Sequence, residues 1–219
     1  RGILTLRKGF RVLDIEPSHV DSGEIAKSRG ELSFDGVNDY AANTAWAFTL
    51  GLKWTIRAEL AFAITGINDT TGTRTLLHLK AVTWDPVKIE LVGDTAAATI
   101  QLKATIQGSA GDTATLTGTA RTAAAWVAAY PYGSDRYIRL VKDGATITLY
   151  VGETQEAQAT GFITAGVKAK HEVTTGIYVG ANSTPGAYSR ARAFGSLLIV
   201  NRVLSEADSY WGIHWPTAA

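Results

Sequence analysis

The chain has 219 residues, with 21 Lys and Arg against 20 Asp and Glu, and so a formal net charge of +1. A charge this close to zero gives no electrostatic reason to expect nucleic acid or an anionic membrane as partner. Cys is absent, which excludes disulfides, a thiolate nucleophile and thiolate-bound zinc. Because no apolar run reaches about 18 residues, we expect no membrane insertion.

Residues 1–29 precede the first strong strand pattern and interleave basic with apolar side chains. We interpret them as an N-terminal arm or edge segment. Two alternatives stay open: an edge strand followed by a loop, or an arm that docks on a neighbouring subunit. Because the chain begins with Arg1 and not Met, we expect that a leader or a larger parent chain was removed upstream of it.

The stretch Glu31–Ala42 combines a short strand with two polar corners. Leu32 and Phe34 alternate with polar residues, which predicts a strand with one buried face, and Asp35-Gly36 predicts a tight turn. Three oxygen donors lie close together here and suggest a calcium site: Asp35, Asn38 and Asp39. The alternative is that these side chains bond the backbone of the turn, in which case no cofactor is required.

Two strands are predicted next, Trp54–Ala63 and a returning strand over Arg74–Ala81. If they form a hairpin, the polar faces of both strands coincide. The side chains on that exposed face are then Arg57, Glu59, His78 and Lys80. Three interpretations of this face stay open: it is solvated and carries cross-strand ion pairs, it contacts a glycan, or it holds an acid–base pair.

Further alternating patterns predict strands over Lys88–Val92 and Thr99–Ile106, and a weaker strand over Thr113–Thr119. Asp143-Gly144 predicts the turn of a hairpin between Arg136–Lys142 and Thr146–Gly152. We expect the apolar positions of this hairpin to face the core: Ile138, Leu140, Ile147, Leu149 and Val151. Residues 211–219 form a C-terminal tail.

The loop Ala129–Asp135 is the most suggestive binding segment. Tyr130 and Tyr132 flank Pro131, so two aromatic rings are presented on a stiffened backbone. Aromatic faces stack on sugar rings, and Asp135 can accept hydrogen bonds from hydroxyls. Further aromatic candidates near loops are Trp84, Trp126 and Tyr188. The alternative is that these rings cap the ends of the fold with their polar tips in water.

Four stretches, in order, carry a family resemblance: ELSFDGVNDYAA, WTIRAELAF, RYIRLVKDGATITLYVGETQEAQ and IYVGANSTPGAYSRARAFGSLLIVNRVLSEAD. Together they resemble laminin-G-like domains of the concanavalin A-like lectin and glucanase superfamily, including those of phage and bacterial surface proteins. The resemblance implies an all-β fold, a concanavalin A-like jelly-roll β-sandwich of two antiparallel sheets, over about residues 30–210. Calcium at a rim loop is common in such domains, which bears on the Asp35 corner.

The resemblance favours a non-catalytic, lectin-like recognition or assembly domain on a virion or other extracellular surface. Its partner is then a glycan or a neighbouring protein subunit, with a homo-oligomer as one form of assembly. The alternative is a purely structural virion protein, either a capsid decoration or a tail component. A glycoside hydrolase is disfavoured, because it needs two facing carboxylates and the sequence shows no motif for them. The fragment Leu13–Glu16 resembles the family-16 glucanase strand, but Val12 stands where its first acid belongs.

Overall fold

The computed structural model describes twelve parts of the chain: residues 2–6, 13–16, 24–28, 32–33, 40–44, 47–61, 72–108, 112–129, 137–162, 171–173, 176–180 and 193–204. These parts are almost entirely β-structure. The first strands are β1 (Gly2–Leu6), β2 (Leu13–Glu16), β3 (Glu24–Ser28), β4 (Leu32–Ser33), β5 (Ala41–Asn43), β6 (Phe48–Leu50), β7 (Lys53–Ala61), β8 (Thr73–Lys80) and β9 (Val87–Asp94).

The second half adds β10 (Thr99–Gln107), β11 (Thr113–Thr117), the helix α1 (Ala123–Ala129), β12 (Tyr137–Asp143), β13 (Thr146–Val151), β14 (Thr154–Ala159), β15 (His171–Val173), β16 (Gly176–Val179) and β17 (Ala193–Val200). Every strand pairing within the described parts is antiparallel.

Two sheets make up the fold. The first sheet has the order β2-β3-β17-β7-β12-β13-β14, with β4 beside β17, and the second has the order β1-β5-β16-β8-β9-β10-β11. Strand β1 also pairs with β2, so the hydrogen-bonded ladder continues from one sheet to the other at that edge. A separate two-stranded ladder joins β6 to β15.

One hydrophobic core lies between the two sheets. Strands β7 and β10 alternate buried apolar residues with polar residues, as strands with one buried face do. The core combines side chains of the first sheet, such as Trp54 and Leu140, with side chains of the second, such as Leu77 and Leu102. The sheets therefore pack face to face, and the predicted all-β sandwich of two antiparallel sheets is confirmed.

The far edges of the two sheets are joined by a buried carboxylate. The backbone N–H of Thr119, just after β11, donates to Oε2 of Glu156 on β14 at 3.0 Å. The Arg121 guanidinium donates to the same oxygen at 2.9 Å, and the Glu156 side chain is fully buried. Hydrogen bonds to a charged, buried acceptor are the strong kind, so this contact fixes the closed edge of the sandwich.

The predicted hairpin at Asp143-Gly144 is confirmed. Strands β12 and β13 pair in the register that places Asp143 opposite Thr146, and Gly144 has a φ of +61°. A residue with a side chain is strained at that φ, which explains the glycine. All five apolar side chains predicted for this hairpin lie in the core: Ile138, Leu140, Ile147, Leu149 and Val151.

The helix α1 was not predicted from the sequence. Thr122 caps it, because its Oγ1 accepts a hydrogen bond from the backbone N–H of Ala125 at 3.2 Å. The alanines that follow favour a helix once it is capped. Trp126, predicted as a loop-edge ligand candidate, is instead buried in the core, with its indole N–H donating to the Ile100 carbonyl at 2.8 Å.

Candidate functional site

The outer face of the second sheet carries a row of polar side chains that crosses four neighbouring strands. Tyr178 on β16 lies opposite His78 on β8, His78 lies opposite Lys88 on β9, and Lys88 lies opposite Thr105 on β10. We call these four residues the polar row. Tyr178, Lys88 and Thr105 are half-buried, whereas His78 is buried. Tyr178, Lys88 and Thr105 therefore reach the surface, whereas His78 is enclosed in its place between Tyr178 and Lys88.

The alternation of β8 explains why this face is polar. Leu77 and Leu79 are fully buried in the core between the sheets. Successive side chains on a strand point to opposite faces, so His78 and Lys80 lie on the outer side. The same period-2 pattern in β10 places Thr105 outside and Ala104 and Ile106 inside.

Asp85 connects the polar row, at His78, to the loop that joins β8 to β9. Its Oδ1 lies 2.9 Å from Nε2 of His78 and 2.7 Å from Nζ of Lys80. Its backbone N–H donates to Oε1 of Gln107 on β10 at 2.7 Å. Asp85 is thus tied to both β8 and β10, and it carries its carboxylate back over the outer face of the sheet.

The protonation states of Asp85 and His78 follow from their surroundings. Burial lowers the pKa of His78 below its ordinary value of 6.5, and the neighbouring Asp85 carboxylate only partly opposes this effect. Burial also acts to raise the pKa of Asp85, but the contacts with Lys80 and His78 outweigh it and hold that pKa below its ordinary value. At pH 7, therefore, Asp85 is ionised and His78 is neutral.

A second ion pair lies on the same face. Lys88 Nζ is 3.2 Å from Oε1 of Glu90, and Lys103 lies opposite Glu90 on the next strand. The two carboxylates of this face are thus each paired with a lysine. Carboxylate acceptors thus lie beside ammonium donors, an arrangement suited to binding hydroxyl groups.

Arg57 lies on the other sheet, in a different environment. It belongs to β7, and its guanidinium stacks on the Tyr137 ring at 3.7 Å from the ring centroid. On the neighbouring strand, directly opposite Arg57, Arg139 stacks on Tyr150 at 4.3 Å. Arg57 and Arg139 are only 9% and 6% exposed, so these stacked pairs cover the outer face of the first sheet and do not project from it.

The prediction that Arg57 and His78 share one exposed face is wrong. It assumed that β7 and β8 form a hairpin, but β7 pairs with β12 and β17, whereas β8 pairs with β9 and β16. The two residues therefore lie on the outer faces of opposite sheets. Both are buried, because Arg57 stacks on Tyr137 and His78 packs between cross-strand neighbours.

The other predicted site residues lie outside the described parts of the chain. This applies to the aromatic loop residues Tyr130, Tyr132 and Asp135 and to the calcium candidates Asp35, Asn38 and Asp39. The backbone of Glu59 is described, opposite Tyr137, but its side chain is not. Within the described residues, no group of three or more His, Cys, Asp or Glu side chains is placed to hold a metal ion.

Sequence reasoning singled out His78 but missed Asp85, Lys88 and Tyr178 as its neighbours. Asp85 sits in a turn before Pro86, and a turn residue gives no sign that its carboxylate folds back onto a strand. Tyr178 is a hundred positions from His78, and only the strand order of the second sheet brings the two together. The available signal was the alternation of His78 and Lys80 with buried leucines.

Comparisons with known proteins give structural neighbours alone. No protein-family model matches the chain, and a search of curated proteins finds no relative. Among solved structures, a Trypanosoma rangeli sialidase in complex with sialic acid has a TM-score of 0.49 and 14% identity, over 87% of this chain and 30% of that chain. The chain thus spans less than a third of that sialidase.

Two other solved structures match over most of this chain. Domains LG4-5 of the mouse laminin α1 chain have a TM-score of 0.47 and 18% identity, over 85% of this chain and 47% of that one. The CBM40 of a Ruminococcus gnavus sialidase, bound to α2,6-sialyllactose, has a TM-score of 0.48 and 11% identity, over 82% and 94% of the two chains. The matched structures thus include the laminin G type of domain that the sequence resembles.

Proposed function

We propose that this chain is a non-catalytic, lectin-like recognition domain that binds a glycan on the outer face of its second sheet. The polar row carries the proposal. Tyr178, Lys88 and Thr105 present donors and acceptors on three strands, and the buried His78 lies in register between Tyr178 and Lys88. Strands hold side chains more rigidly than loops do, so the binding groups are positioned before the ligand arrives.

The charges on this face favour binding over hydrolysis. A glycoside hydrolase of the usual kind needs one carboxylic acid with a raised pKa, which protonates the leaving group. On this face the pKa of Asp85 is lowered, and Glu90 is paired with Lys88. Ionised carboxylates of this kind accept hydrogen bonds from hydroxyls but do not donate a proton to a glycosidic oxygen.

The location that we propose is a virion or other extracellular surface. The family resemblance of the sequence motifs supports it, since such domains recur in phage and bacterial surface proteins. There the ligand is a glycan of the host or of a neighbouring structure. Within the described residues, no helix is long and apolar enough to cross a bilayer.

A glycan-array screen of the purified protein, with calcium and again with a chelator, tests the proposal. We expect binding to a defined sugar class, and a loss of at least about tenfold in affinity for Lys88→Ala, because a lost hydrogen bond to a charged group costs more than about 1.4 kcal/mol. Tyr178→Ala should lose about fivefold, because the lost hydrogen bond of a neutral hydroxyl costs about 1 kcal/mol. Lys53→Ala is the matched control. Lys53 also pairs with a carboxylate, that of Asp143 at 2.9 Å, but it lies elsewhere on the surface.

The other outcomes point to the alternatives. A loss of binding confined to a Tyr130→Ala, Tyr132→Ala double variant would place the site on the loop that ends at Asp135. Calcium dependence would implicate the Asp35–Asp39 corner. If the protein bound no glycan on the array, either with calcium or with the chelator, the glycan proposal would be overturned. It would favour a structural virion component, whose partners are neighbouring subunits and whose oligomeric state is the next measurement.

A further inference from the structure

The loop of residues 81–86, between β8 and β9, lies beside the polar row. It contains an indole and a carboxylate, those of Trp84 and Asp85, and the row itself has neither group. Resting on the proposed glycan-binding function, we propose that this loop forms a subsite for one neutral pyranose ring that carries a vicinal diol. Trp84 supplies the stacking surface, and Asp85 and Lys80 bind the two adjacent hydroxyls.

The loop is held at both of its ends. The backbone N–H of Ala81 donates to the Trp84 carbonyl at 3.0 Å, which closes a turn. The backbone N–H of Asp85 donates to Gln107 Oε1 at 2.7 Å, and Gln107 in turn donates its backbone N–H to the Pro86 carbonyl at 3.1 Å. A loop fixed in this way loses little conformational freedom when a ligand binds.

The two carboxylate oxygens of Asp85 differ in their contacts. Both of its side-chain neighbours, His78 and Lys80, contact Oδ1. Oδ2 has no partner among the residues that the structure describes, and the side chain is 30% exposed. An ionised carboxylate oxygen with no donor is a strong acceptor for a hydroxyl group. Lys80 likewise has three ammonium protons and uses one of them on Asp85.

An acceptor and a donor side by side match two hydroxyls on adjacent carbons. One hydroxyl donates to Asp85 Oδ2, and its neighbour accepts from Lys80 Nζ. With His78 neutral, the charges of Asp85 and Lys80 cancel, so the subsite has no net charge to attract an acidic sugar. A sulfate or carboxylate on the ligand would instead face Asp85. The subsite therefore favours neutral glycans.

Trp84 provides the apolar surface. It is half-buried, and its Nε1 is buried without a partner in the described parts. The indole N–H thus lies inward, and Nε1 contributes nothing to the exposed part of the residue. Val82, two residues earlier, is 73% exposed and is one of two large exposed hydrophobic residues in the described chain. A fixed aromatic surface beside a hydroxyl-binding ion pair suits the C–H face of a pyranose.

The test uses the full chain and a printed array of mannose-, glucose- and galactose-terminated glycans with sialylated and sulfated ones. The neutral glycans are printed twice, untreated and after periodate oxidation, which cleaves the carbon–carbon bond of vicinal diols. We expect binding to untreated neutral glycans and its loss after oxidation. Trp84→Ala should weaken binding about tenfold, a loss of about 1.4 kcal/mol of stacking. Trp84→Phe should lose less affinity than Trp84→Ala. Leu52→Ala is the control, because Leu52 is the large exposed hydrophobic residue that lies away from the loop, and this variant should bind normally.

A second measurement uses the unmodified protein, so its result does not depend on whether the variants fold correctly. In a ¹⁵N-labelled sample, the Trp84 indole resonance should shift when the bound neutral glycan is titrated in, more than those of the five other tryptophans. Glycan binding that survives Trp84→Ala and periodate but is lost in Lys88→Ala overturns the subsite and leaves the proposed function intact. Preference for acidic glycans also overturns the subsite. Absence of all glycan binding overturns both proposals.

Discussion

Two buried histidines of this protein differ in what surrounds them. His78 lies on the outer face of the second sheet, 2.9 Å from the Asp85 carboxylate. His171 lies at one end of the sandwich interior, stacked on Phe162 at 5.6 Å and edge-on to Trp54 at 5.8 Å. Both are almost fully buried, yet only His78 has a carboxylate beside it. His78 thus belongs to a polar cluster on the outer face of a sheet, whereas His171 is enclosed among aromatic side chains in the interior.

The environment of His171 keeps its ring uncharged. Burial lowers its pKa to about 4, and the hydrogen-bonding contact of Nδ1 with the Gln107 carbonyl, at 2.8 Å, opposes this only in part. Lys142 adds a further lowering effect as a nearby positive charge. Lys142 is itself fully buried, with its Nζ donating to the Leu52 carbonyl at 3.0 Å. His171 is therefore a structural residue whose protonation opposes the fold.

The largest effect that we expect is acid destabilisation through His171. Its folded-state pKa of about 4 lies below the ordinary value of 6.5, so the unfolded chain binds more protons between these pH values. Stability therefore falls as pH drops through this window, by about 3 kcal/mol in total. Urea unfolding at pH 7, 6, 5 and 4.5 measures it.

Two variants sharpen the contrast between the histidines. His171→Phe should remove most of this pH dependence, because an uncharged ring replaces the titrating group. His78→Asn should remove a smaller part, since the Asp85 carboxylate favours the charged form of His78. Equal pH dependence in the two variants would contradict the comparison.

The two sheets provide the next contrast. Arg57→Ala should destabilise the protein by about 2 kcal/mol, because it removes a buried stacking contact with Tyr137 and the packing of the arginine stem. It should leave glycan binding unchanged, because Arg57 lies on the opposite outer face from His78. Denaturant unfolding and array binding measured on the same sample check both parts. If Arg57→Ala lost glycan binding but kept its free energy of unfolding, the binding site would instead lie on the first sheet.

A smaller effect is expected at Lys142. Burial lowers its pKa, so its charge opposes folding at neutral pH. Lys142→Met should raise the free energy of unfolding by about 1 kcal/mol, because it removes a buried charge while the Leu52 carbonyl keeps the Gly144 N–H as a donor. In the unmodified protein, stability should also rise as pH increases toward 10.5, where the unfolded chain binds more protons. The Met variant should lack that rise, and an unchanged alkaline profile would contradict this account of Lys142.

Local patterns predicted much of the fold. The alternation in β7 and β10 and the Asp143-Gly144 turn depend on neighbouring residues, so they can be read from the sequence. Strand order could not be read in this way. The expected hairpin of β7 and β8 is wrong because each strand has a partner about a hundred positions or more away in sequence, β17 for β7 and β16 for β8.

The candidate site was less predictable than the fold, for the same reason. His78 was found because alternation placed it on a polar face, but the polarity of a strand does not reveal its cross-strand neighbours. Tyr178 and Asp85 reach His78 through sheet order and through the path of a loop. The helix α1 was missed because its alanines gave no amphipathic period, and only the Thr122 cap marks its start.

Chemical-shift mapping of the ¹⁵N-labelled protein with the glycan identified on the array tests the central claim most directly. We predict that the largest amide shifts occur at Lys88, Thr105 and Tyr178 and in residues 81–86, on one face of the second sheet. Residues of β12 and β13, in the first sheet, should shift little. Shifts centred on Arg57 and Tyr137, or spread without preference over both sheets, would contradict a binding site on the outer face of the second sheet.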